Sequence, residues 1–411
     1  MHKSKVVNNT IMLYIMNIAK LIFPLLTLPY LTRVLTEDTY GMVSFVKSCM
    51  IYMQLIIDFG FIFSSVKDIV NAGDDKKKIG IITGNTIFAK FLLCIVSALI
   101  LLVMCCVMPI LKISILFTIM SFLGVATSIF VADFLFRGIE KMQFISLTYL
   151  ITKTITTTCT FVFVKNDESI LWIPVLDILA HMISFAIALG VVSKLKISIR
   201  LGAIKDCLLM IKDSFLYFLS SMATTAFSAL NTLLIGIYIT DLTQIAYWSL
   251  CLSIVATIQG LYAPICNSAY PHMIRERSLK FIHKVLLIFM PVVTIGCVAC
   301  FFLAKTALFI VGGEKYIEAY TLFRWMIPIL FFSFPAQIYG WPTLGAIGKV
   351  KATTTSTIIA AVAQVMGLII LILFNQLTLI NMAILRFSTE ALMMLIRMLI
   401  TYRNKKEFVA C

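Results

Sequence analysis

The feature that most constrains this chain is a run of about 20 predominantly apolar residues, the length of helix that spans the hydrocarbon core of a bilayer. Such runs recur from one end of the sequence to the other. Apolar residues make up 61% of the 411 residues and charged residues only 13%. Soluble domains have about 45–50% apolar and roughly 25% charged residues. The sequence therefore excludes a soluble enzyme and predicts an all-α integral membrane protein.

The positions of the apolar runs predict twelve transmembrane helices. They lie near residues 9–31, 42–66, 80–108, 113–136, 144–165, 170–192, 214–238, 245–268, 284–306, 319–345, 352–375 and 378–402. The net charge is +15, from 34 Lys and Arg against 19 Asp and Glu. On one side of the membrane the connecting segments hold 22 basic residues, and on the other side they hold five. Because basic loops stay inside the cell, we expect both termini to be cytoplasmic.

The second half of the sequence repeats the span pattern of the first half at an offset of about 205 residues, in the manner of transporters built from internal repeats. Six spans is an even number, so both halves insert with the same orientation and a pseudo-twofold axis runs along the membrane normal. We expect an N-terminal six-helix lobe over residues 1–192, a cytoplasmic linker over 193–213, a C-terminal six-helix lobe over 214–402 and a cytoplasmic tail over 403–411.

Three lysines lie deep inside predicted spans: Lys20, Lys90 and Lys153. Each is about ten residues from the cytoplasmic end of its span, which places it roughly 15 Å deep. Polar residues at helical spacing accompany each lysine. Charges at that depth are costly and usually face a cavity. We therefore predict a cationic, substrate-binding cavity in the N-terminal half, with ordinary Ser/Thr helix packing as the alternative.

Two pairs of polar residues are spaced by four positions, Asp177 with His181 and Arg386 with Glu390. The offset between the halves places Arg386 at the position of His181. Histidine titrates near neutral pH, so Asp177 and His181 are candidate ion-coupling residues. Arg386 is a candidate substrate-binding residue. The alternative for each pair is that its two side chains neutralise each other and have a structural role only.

Asn231 belongs to an uncharged polar stripe on predicted span seven, which indicates either helix packing or the wall of a substrate-binding cavity. Pro24 and Pro29 interrupt predicted span one, and proline inside a helix removes a hydrogen bond and produces a kink. Broken helices commonly line transporter sites. We therefore expect span one, which carries Lys20, to be a moving part.

The other charges near span ends have simpler expected roles. Lys47, Arg324 and Arg397 are close enough to an end for their long side chains to reach the interface. Asp58 and Asp133 fall at cytoplasmic span ends. There we expect them to cap helices or to contact the nearby cations Lys67 and Arg137.

The sequence predicts neither a metal site nor a cofactor. It has 11 cysteines and four histidines, and the cysteines, including the C-x-x-C at 297–300, fall mostly inside apolar runs. Nucleic-acid binding would need basic residues clustered on a folded polar face, and no stretch is polar enough to form one. The predicted outer loops are short, which disfavours an enzyme that acts on sugars outside the membrane.

Several segments are similar to Wzx-type polysaccharide flippases. They are 23–35 (FPLLTLPYLTRVL), Tyr40-Gly41, 58–61 (DFGF), 136–142 (FRGIEKM) and 214–271, which contains Asn231-Thr232, Gly236, 259–261 (QGL) and Tyr270-Pro271. The resemblance covers most of the chain and is strongest over residues 1–165 and 210–275. It weakens over the last three spans, where 341–343 (WPT) departs from the family pattern.

The resemblance implies a member of the polysaccharide branch of the multidrug/oligosaccharidyl-lipid/polysaccharide exporter superfamily. Such proteins are two-lobed transporters of undecaprenyl-diphosphate-linked oligosaccharides in the bacterial inner membrane. The implied ligands are that substrate and membrane lipids, with a polysaccharide polymerase and a chain-length regulator as candidate partners of a monomeric transport unit. Two alternatives stay open: a drug/cation antiporter of the same superfamily, and a membrane-embedded polysaccharide polymerase or ligase.

Overall fold

The computed structural model of the chain describes residues 2–225, 227 and 229–408, with only the backbone of residues 2–11, 13 and 14. Over this range the chain is helical and contains no strand. Its α-helices are α1 (His2–Val34), α2 (Glu37–Asp58), α3 (Phe61–Ala72), α4 (Lys76–Val107), α5 (Ile110–Ile113), α6 (Ile115–Thr127), α7 (Asp133–Gly138), α8 (Met142–Phe163), α9 (Trp172–Lys194), α10 (Ile204–Thr225), α11 (Ala229–Tyr238), α12 (Leu242–Gly260), α13 (Ala263–Glu276), α14 (Leu279–Phe302), α15 (Ala304–Gly312), α16 (Tyr320–Ile338), α17 (Val350–Leu373) and α18 (Leu379–Arg403).

In the described part of the chain, 11 helical segments are long and apolar enough to cross a membrane. They correspond to eleven of the twelve predicted spans, and the twelfth is α8. Helix α8 has 22 residues, or about 33 Å, which is enough to span the hydrocarbon core. Its many threonines and Lys153 lower its apolarity. The all-α membrane fold is confirmed, with α8 qualifying by length rather than by apolarity.

The chain folds into two compact units, residues 1–222 (unit 1) and 223–411 (unit 2). A buried apolar cluster in unit 1 joins α1, α3, α7, α8 and α9 through residues such as Met16, Ile69, Leu135, Ile145 and Ala188. A second cluster in unit 2 joins α13, α14 and α16. It contains Met273, Ile282 and Phe334. Each unit therefore has its own apolar core.

The segment predicted as a cytoplasmic linker, residues 193–213, is partly helical. Helix α9 ends at Lys194 and α10 begins at Ile204, ten residues before the predicted start of span seven. The contacts of α10 up to Met222 belong to unit 1. The predicted lobe boundaries, 1–192 and 214–402, stay a prediction.

Two glycines on α4 let the chain between α9 and α10 lie directly on that helix. The N–H of Arg200 donates to the carbonyl of Gly80 at 3.3 Å, and the N–H of Gly202 donates to Asn85 Oδ1 at 2.8 Å. A Cβ at Gly84 would stand 2.2 Å from the carbonyl oxygen of Arg200, and one at Gly80 would stand 2.0 Å from that of Ser198. Only residues without a side chain permit this approach.

The helix breaks do not fall where the prolines of span one predicted them. Helix α1 is continuous through Pro24 and Pro29. Instead, α2 and α3 are separated by Phe59 and Gly60, both with left-handed backbone angles, φ 40° and φ 81°. A second break follows α16, where a π-helical segment, Tyr339–Gly345, carries non-helical angles at its second residue, Gly340.

Arg397 on α18 lies at the break after α16 and does not reach toward the interface as predicted. Its side chain is buried, with 7% exposed. Nη1 donates to the carbonyl of Ala336 at 2.7 Å, Nε to Ser356 Oγ at 3.0 Å and Nη2 to Thr357 Oγ1 at 2.9 Å. The interior location is tolerated because the guanidinium is hydrogen-bonded on all three nitrogens.

We expect Gly84→Ala to lower the free energy of unfolding by about 1–3 kcal/mol, because the new methyl group collides with the backbone at Arg200. Thermal unfolding of the purified protein in detergent measures the effect. Gly190→Ala is the matched control on α9, where nothing lies within 4 Å of the added Cβ. That change should stabilise the helix by about 0.5–1 kcal/mol. Equal melting temperatures for the two variants would contradict the close approach.

The predicted topology is tested by labelling single cysteines in a cysteine-free background with a membrane-impermeant maleimide. We expect labelling from the cytoplasmic side at Lys77, Arg200, Arg277 and Lys349, and from the outer side at Asp38, Asp167 and Asp241. The reason is the excess of basic residues in the first set of connecting segments. One position labelled from the opposite side would refute the twelve-span arrangement.

Candidate functional site

Unit 1 contains a cavity of about 240 Å³ lined by charged side chains from four helices. Lys20 comes from α1, Lys153 from α8, and Asp177 and His181 from α9, and the fourth helix is α7. The Nζ atom of Lys20 lies 5.6 Å from the centroid of the Tyr149 ring, within cation–π range. Four of the predicted site residues therefore meet in this first cavity.

Two further cavities adjoin the first one. The second, of about 310 Å³, shares Asp133 and His181 with it, and the third, of about 170 Å³, shares Lys153 and Asp177. The third cavity is also lined by hydroxyl-bearing side chains from α1 and α8, namely Thr27, Tyr149, Thr156, Thr157 and Thr160. The three cavities form one polar region through unit 1.

The balance of charge along this region is positive. Its lining includes five basic residues, Lys20, Lys47, Lys90, Arg137 and Lys153. The carboxylates there are Asp58, Asp133 and Asp177. With His181 neutral, the basic residues exceed the carboxylates by two. A polar region of this sign favours an anionic ligand.

Lys90 lies in the second cavity, apart from Lys20 and Lys153, and already has a counter-ion. Its Nζ is 2.8 Å from Asp58 Oδ1, and only 6% of the residue is exposed. Asp58 also accepts a hydrogen bond from Gln54 Nε2 at 2.7 Å. The expected contact of Asp58 with Lys67 is therefore wrong. Asp58 neutralises the buried lysine instead, which reduces the cost of placing that cation inside the span.

His181 does not bond to Asp177 as their spacing predicted. Its Nδ1 lies 2.8 Å from the carbonyl of Gly124 and 3.1 Å from Thr127 Oγ1. A carbonyl only accepts hydrogen bonds, so this geometry assigns the proton to Nδ1. In neutral His181 the other ring nitrogen, Nε2, is then an acceptor. Because the side chain lines both the first and the second cavity, it lies where the two meet.

Lys47 is one of the cavity residues that were not predicted from the sequence. It was expected to reach toward the interface, but it lines the third cavity with Lys153 and Asp177. The predicted span began at residue 42, whereas α2 begins at Glu37. Lys47 is thus about 15 Å from the helix start, as deep as the other lysines. The sequence signal for a helix start at Glu37 was Thr36. Its side chain accepts a hydrogen bond from the N–H of Thr39 and caps α2.

Asp133 and Arg137 have a larger role than capping a span end. Both lie on α7, a short helix at the end of the fourth span, and both line the first cavity. Asp133 also lines the second cavity, near Lys90. The structure therefore confirms that Asp133 and Arg137 are neighbours and adds that both belong to the polar region.

The predicted site residues in unit 2 belong to a buried polar cluster. Arg386 Nη1 is 2.6 Å from Glu390 Oε2, and its guanidinium carbon lies 4.7 Å from the Phe227 ring centroid. Gln364 Nε2 donates to Asn231 Oδ1 at 3.1 Å, and its Oε1 accepts from a threonine on α18 at 2.7 Å. Arg386 is only 7% exposed and Asn231 is fully buried. This geometry favours the self-neutralised pair for Arg386 and helix packing for Asn231.

The fold is shared with solved transporters. An inward-facing multidrug resistance MATE family transporter of the MOP superfamily aligns with a TM-score of 0.70 at 12% identity, over 94% of this chain and 98% of the other. The Lipid II flippase MurJ in an inward closed conformation aligns with a TM-score of 0.66 at 13% identity, over 96% and 87%. At these identities the similarity establishes the architecture alone.

Two relatives are similar in sequence. A protein of Escherichia coli strain K12, named as a candidate O-antigen transporter, is 25% identical over 97% of both chains. A protein of Shigella dysenteriae with the same name is 27% identical over 67% of this chain and 69% of its own length. A family profile described as "Polysaccharide biosynthesis protein" matches residues 6–276. Since this match covers more than half of the sequence, the chain belongs to that family of polysaccharide biosynthesis proteins.

Proposed function

We propose that the chain is a flippase that moves undecaprenyl-diphosphate-linked oligosaccharide units across the bacterial inner membrane by alternating access, for O-antigen or a related polysaccharide. The observation that carries the proposal is the net positive polar region of unit 1. The family match and the relatives named as O-antigen transporters supply the substrate class. The architecture, which a lipid flippase shares, is compatible with this function.

The lining of the polar region suits the two parts of this substrate. A diphosphate carries about two negative charges, and lysine binds phosphate as a point charge. Among described side chains, neither Lys20 nor Lys153 forms an ion pair, and Lys20 Nζ lies over the ring of Tyr149, so both remain available to an anion. Thr27 and Thr160 donate to backbone carbonyls and keep acceptor lone pairs. Those lone pairs accept from sugar hydroxyls.

The alternatives are less well supported. The sequence relatives are named as transporters, in agreement with the prediction that the chain is not an enzyme. The hypothesis of a membrane-embedded polymerase or ligase is therefore disfavoured. A drug/cation antiporter has the same fold, but its cationic substrates would be repelled by an excess of lysine. The sign of the charge favours a flippase for an anionic lipid.

The cellular setting follows from the same proposal. The protein is a multi-pass membrane protein. We place it in the inner membrane with both termini cytoplasmic, because the basic connecting segments lie on the side of the termini. Its ligands are the lipid-linked oligosaccharide and membrane lipids. A polysaccharide polymerase and a chain-length regulator would use the product on the outer face.

A leaflet-resolved assay of lipid-linked oligosaccharide in a deletion strain tests the proposed function. We expect single repeat units to accumulate on the cytoplasmic face, because the sugar and diphosphate cannot cross the hydrocarbon core unaided. Complementation with the intact chain should move them to the outer face. Accumulation on the outer face in the deletion strain would instead indicate a polymerase or ligase and would refute the flippase.

In the complemented strain, Lys20→Ala, Lys47→Ala and Lys153→Ala should each reduce export about tenfold, since a charged hydrogen bond contributes roughly 1.5–3 kcal/mol. The Lys→Arg variants should be milder because the charge is retained. Lys112→Ala, which removes a cation from the short helix α5 outside the polar region, is the control and should leave export unchanged. Membrane levels are measured by immunoblot. Full export by the triple Ala variant at normal levels would exclude the lysine site.

We also propose that transport is coupled to the proton gradient through His181 and Asp177. His181 lies between the first two cavities. The other charged residues that line these cavities are Lys20, Asp58, Lys90, Asp133, Arg137, Lys153 and Asp177. Adding one proton changes the charge beside the substrate by one unit. One charge crossing 100 mV corresponds to about 2.3 kcal/mol. That energy is sufficient to bias alternating access more than tenfold.

Transport in proteoliposomes should therefore depend on an imposed pH gradient. His181→Ala should abolish that dependence while leaving downhill transport measurable. Thr127→Val is the matched control, because it removes a neighbour of the ring and leaves the titrating group in place. An unchanged pH response in His181→Ala would assign coupling to another group, with Asp58 and Glu390 the next to be tested.

A further inference from the structure

Unit 2 has a large apolar groove between α14 and α16 that takes no part in the polar region of unit 1. Its volume is about 750 Å³. The residues of α16 that line the groove recur every three or four positions, so one face of the helix forms this wall. They include Tyr320, Arg324, Pro328 and Phe331. Phe301 is on the opposing wall and is 44% exposed. Both helices are apolar enough to cross a membrane, so the groove faces lipid.

Two cations stand at one end of this groove, around the ring of Tyr320. The Nζ atom of Lys305 is 4.6 Å from the ring centroid, and the guanidinium carbon of Arg324 is 5.2 Å from the same centroid. Arg324 also lies 4.7 Å from the Phe301 ring centroid, and its Nε donates to the Phe301 carbonyl at 3.0 Å. The position of Arg324 is thus fixed at the C-terminal end of α14, where a cation is favourable.

These cations lack an anionic partner in the described part of the chain. Neither Lys305 nor Arg324 forms an ion pair there, and the Nη groups of Arg324 make no hydrogen bond within it. Two like charges held against one ring repel each other unless an anion lies between them. A phosphate matches this need, because guanidinium and ammonium groups are its usual protein ligands.

The length of the groove indicates how much hydrocarbon it holds. From Tyr320 to Phe332 the α16 wall extends about 18 Å. This is roughly half of a hydrocarbon core of about 30 Å, so the groove has the depth of one leaflet. The cations lie at its end near the start of α16. On the predicted topology that end is on the outer side, where basic residues are otherwise scarce.

We propose that this groove binds an anionic phospholipid of the outer leaflet, with its phosphate at Arg324 and Lys305 and an acyl chain along the aromatic wall. A groove with the depth of one leaflet matches the acyl chain of an ordinary phospholipid and is too short for a longer prenyl chain. Aromatic rings at the interface and a cation beside the headgroup are the elements that bind such lipids. The site is independent of the proposed transport substrate.

Native mass spectrometry of the purified full-length protein, delipidated and then titrated with phosphatidylglycerol or phosphatidylethanolamine, tests the proposal. We expect one phosphatidylglycerol molecule to bind in preference to phosphatidylethanolamine. Arg324→Ala and Lys305→Ala should each weaken phosphatidylglycerol binding about fivefold, and Arg324→Lys should weaken it less. Lys165→Ala, which removes a cation from a loop of unit 1, is the matched control and should not change binding.

A second variant tests the groove itself without altering its charge. Val298→Trp adds bulk to the exposed α14 wall, so it should displace the acyl chain and lower phosphatidylglycerol binding while both cations stay in place. Far-UV circular dichroism checks that the variants remain folded. Equal binding of the two lipids, or unchanged binding in the Arg324 and Lys305 variants, would overturn the proposal. Preference for a polyprenyl phosphate, or binding of inorganic phosphate alone, would also overturn it.

Discussion

The salt bridge between Lys90 and Asp58 illustrates the constraint under which the whole molecule is built. Each charge inside a bilayer costs roughly 2.5–3.5 kcal/mol on insertion scales, so it needs a counter-ion, hydrogen bonds or water. Lys90 is matched at 2.8 Å by a carboxylate from another helix. The other charged residues inside the spans either line a cavity or are paired or hydrogen-bonded, and the choice differs between the two units.

Unit 1 and unit 2 use their interior charges differently. In unit 1, Lys20, Lys47 and Lys153 line cavities that have room for water or a ligand. In unit 2, Arg386 pairs with Glu390 and Arg397 donates three hydrogen bonds at a helix break. Buried charges that are satisfied within the protein add rigidity and specificity rather than affinity for a ligand. Unit 1 therefore offers charge to a substrate, while unit 2 uses it to hold helices together.

The sequence predicted the fold and the depth of the charges better than it predicted their partners. Span length and helical spacing placed Lys20 and Lys153 near the midplane, and the structure brings them into one cavity. The partner of Lys90 was missed because Asp58 is 32 residues away on another helix, and only packing brings them together. Arg397 was misplaced because its acceptors come from other helices: the Ala336 carbonyl lies beside the break at Gly340, and the two hydroxyl acceptors are on α17. The local sequence pattern therefore predicts how deep a charged residue lies in the membrane, whereas its partner depends on which helices pack together.

The net charge of two in the polar region has an electrical consequence for a transport cycle. A diphosphate of about two negative charges would neutralise it, so the loaded polar region would carry no net charge across the membrane field, while the empty one would carry about +2. Each of those charges corresponds to up to about 2.3 kcal/mol for 100 mV. With the cell interior negative, the field acts on the empty protein and favours the state in which its cavity faces the cytoplasm. The membrane voltage would then reset the transporter after each delivery rather than push the cargo itself.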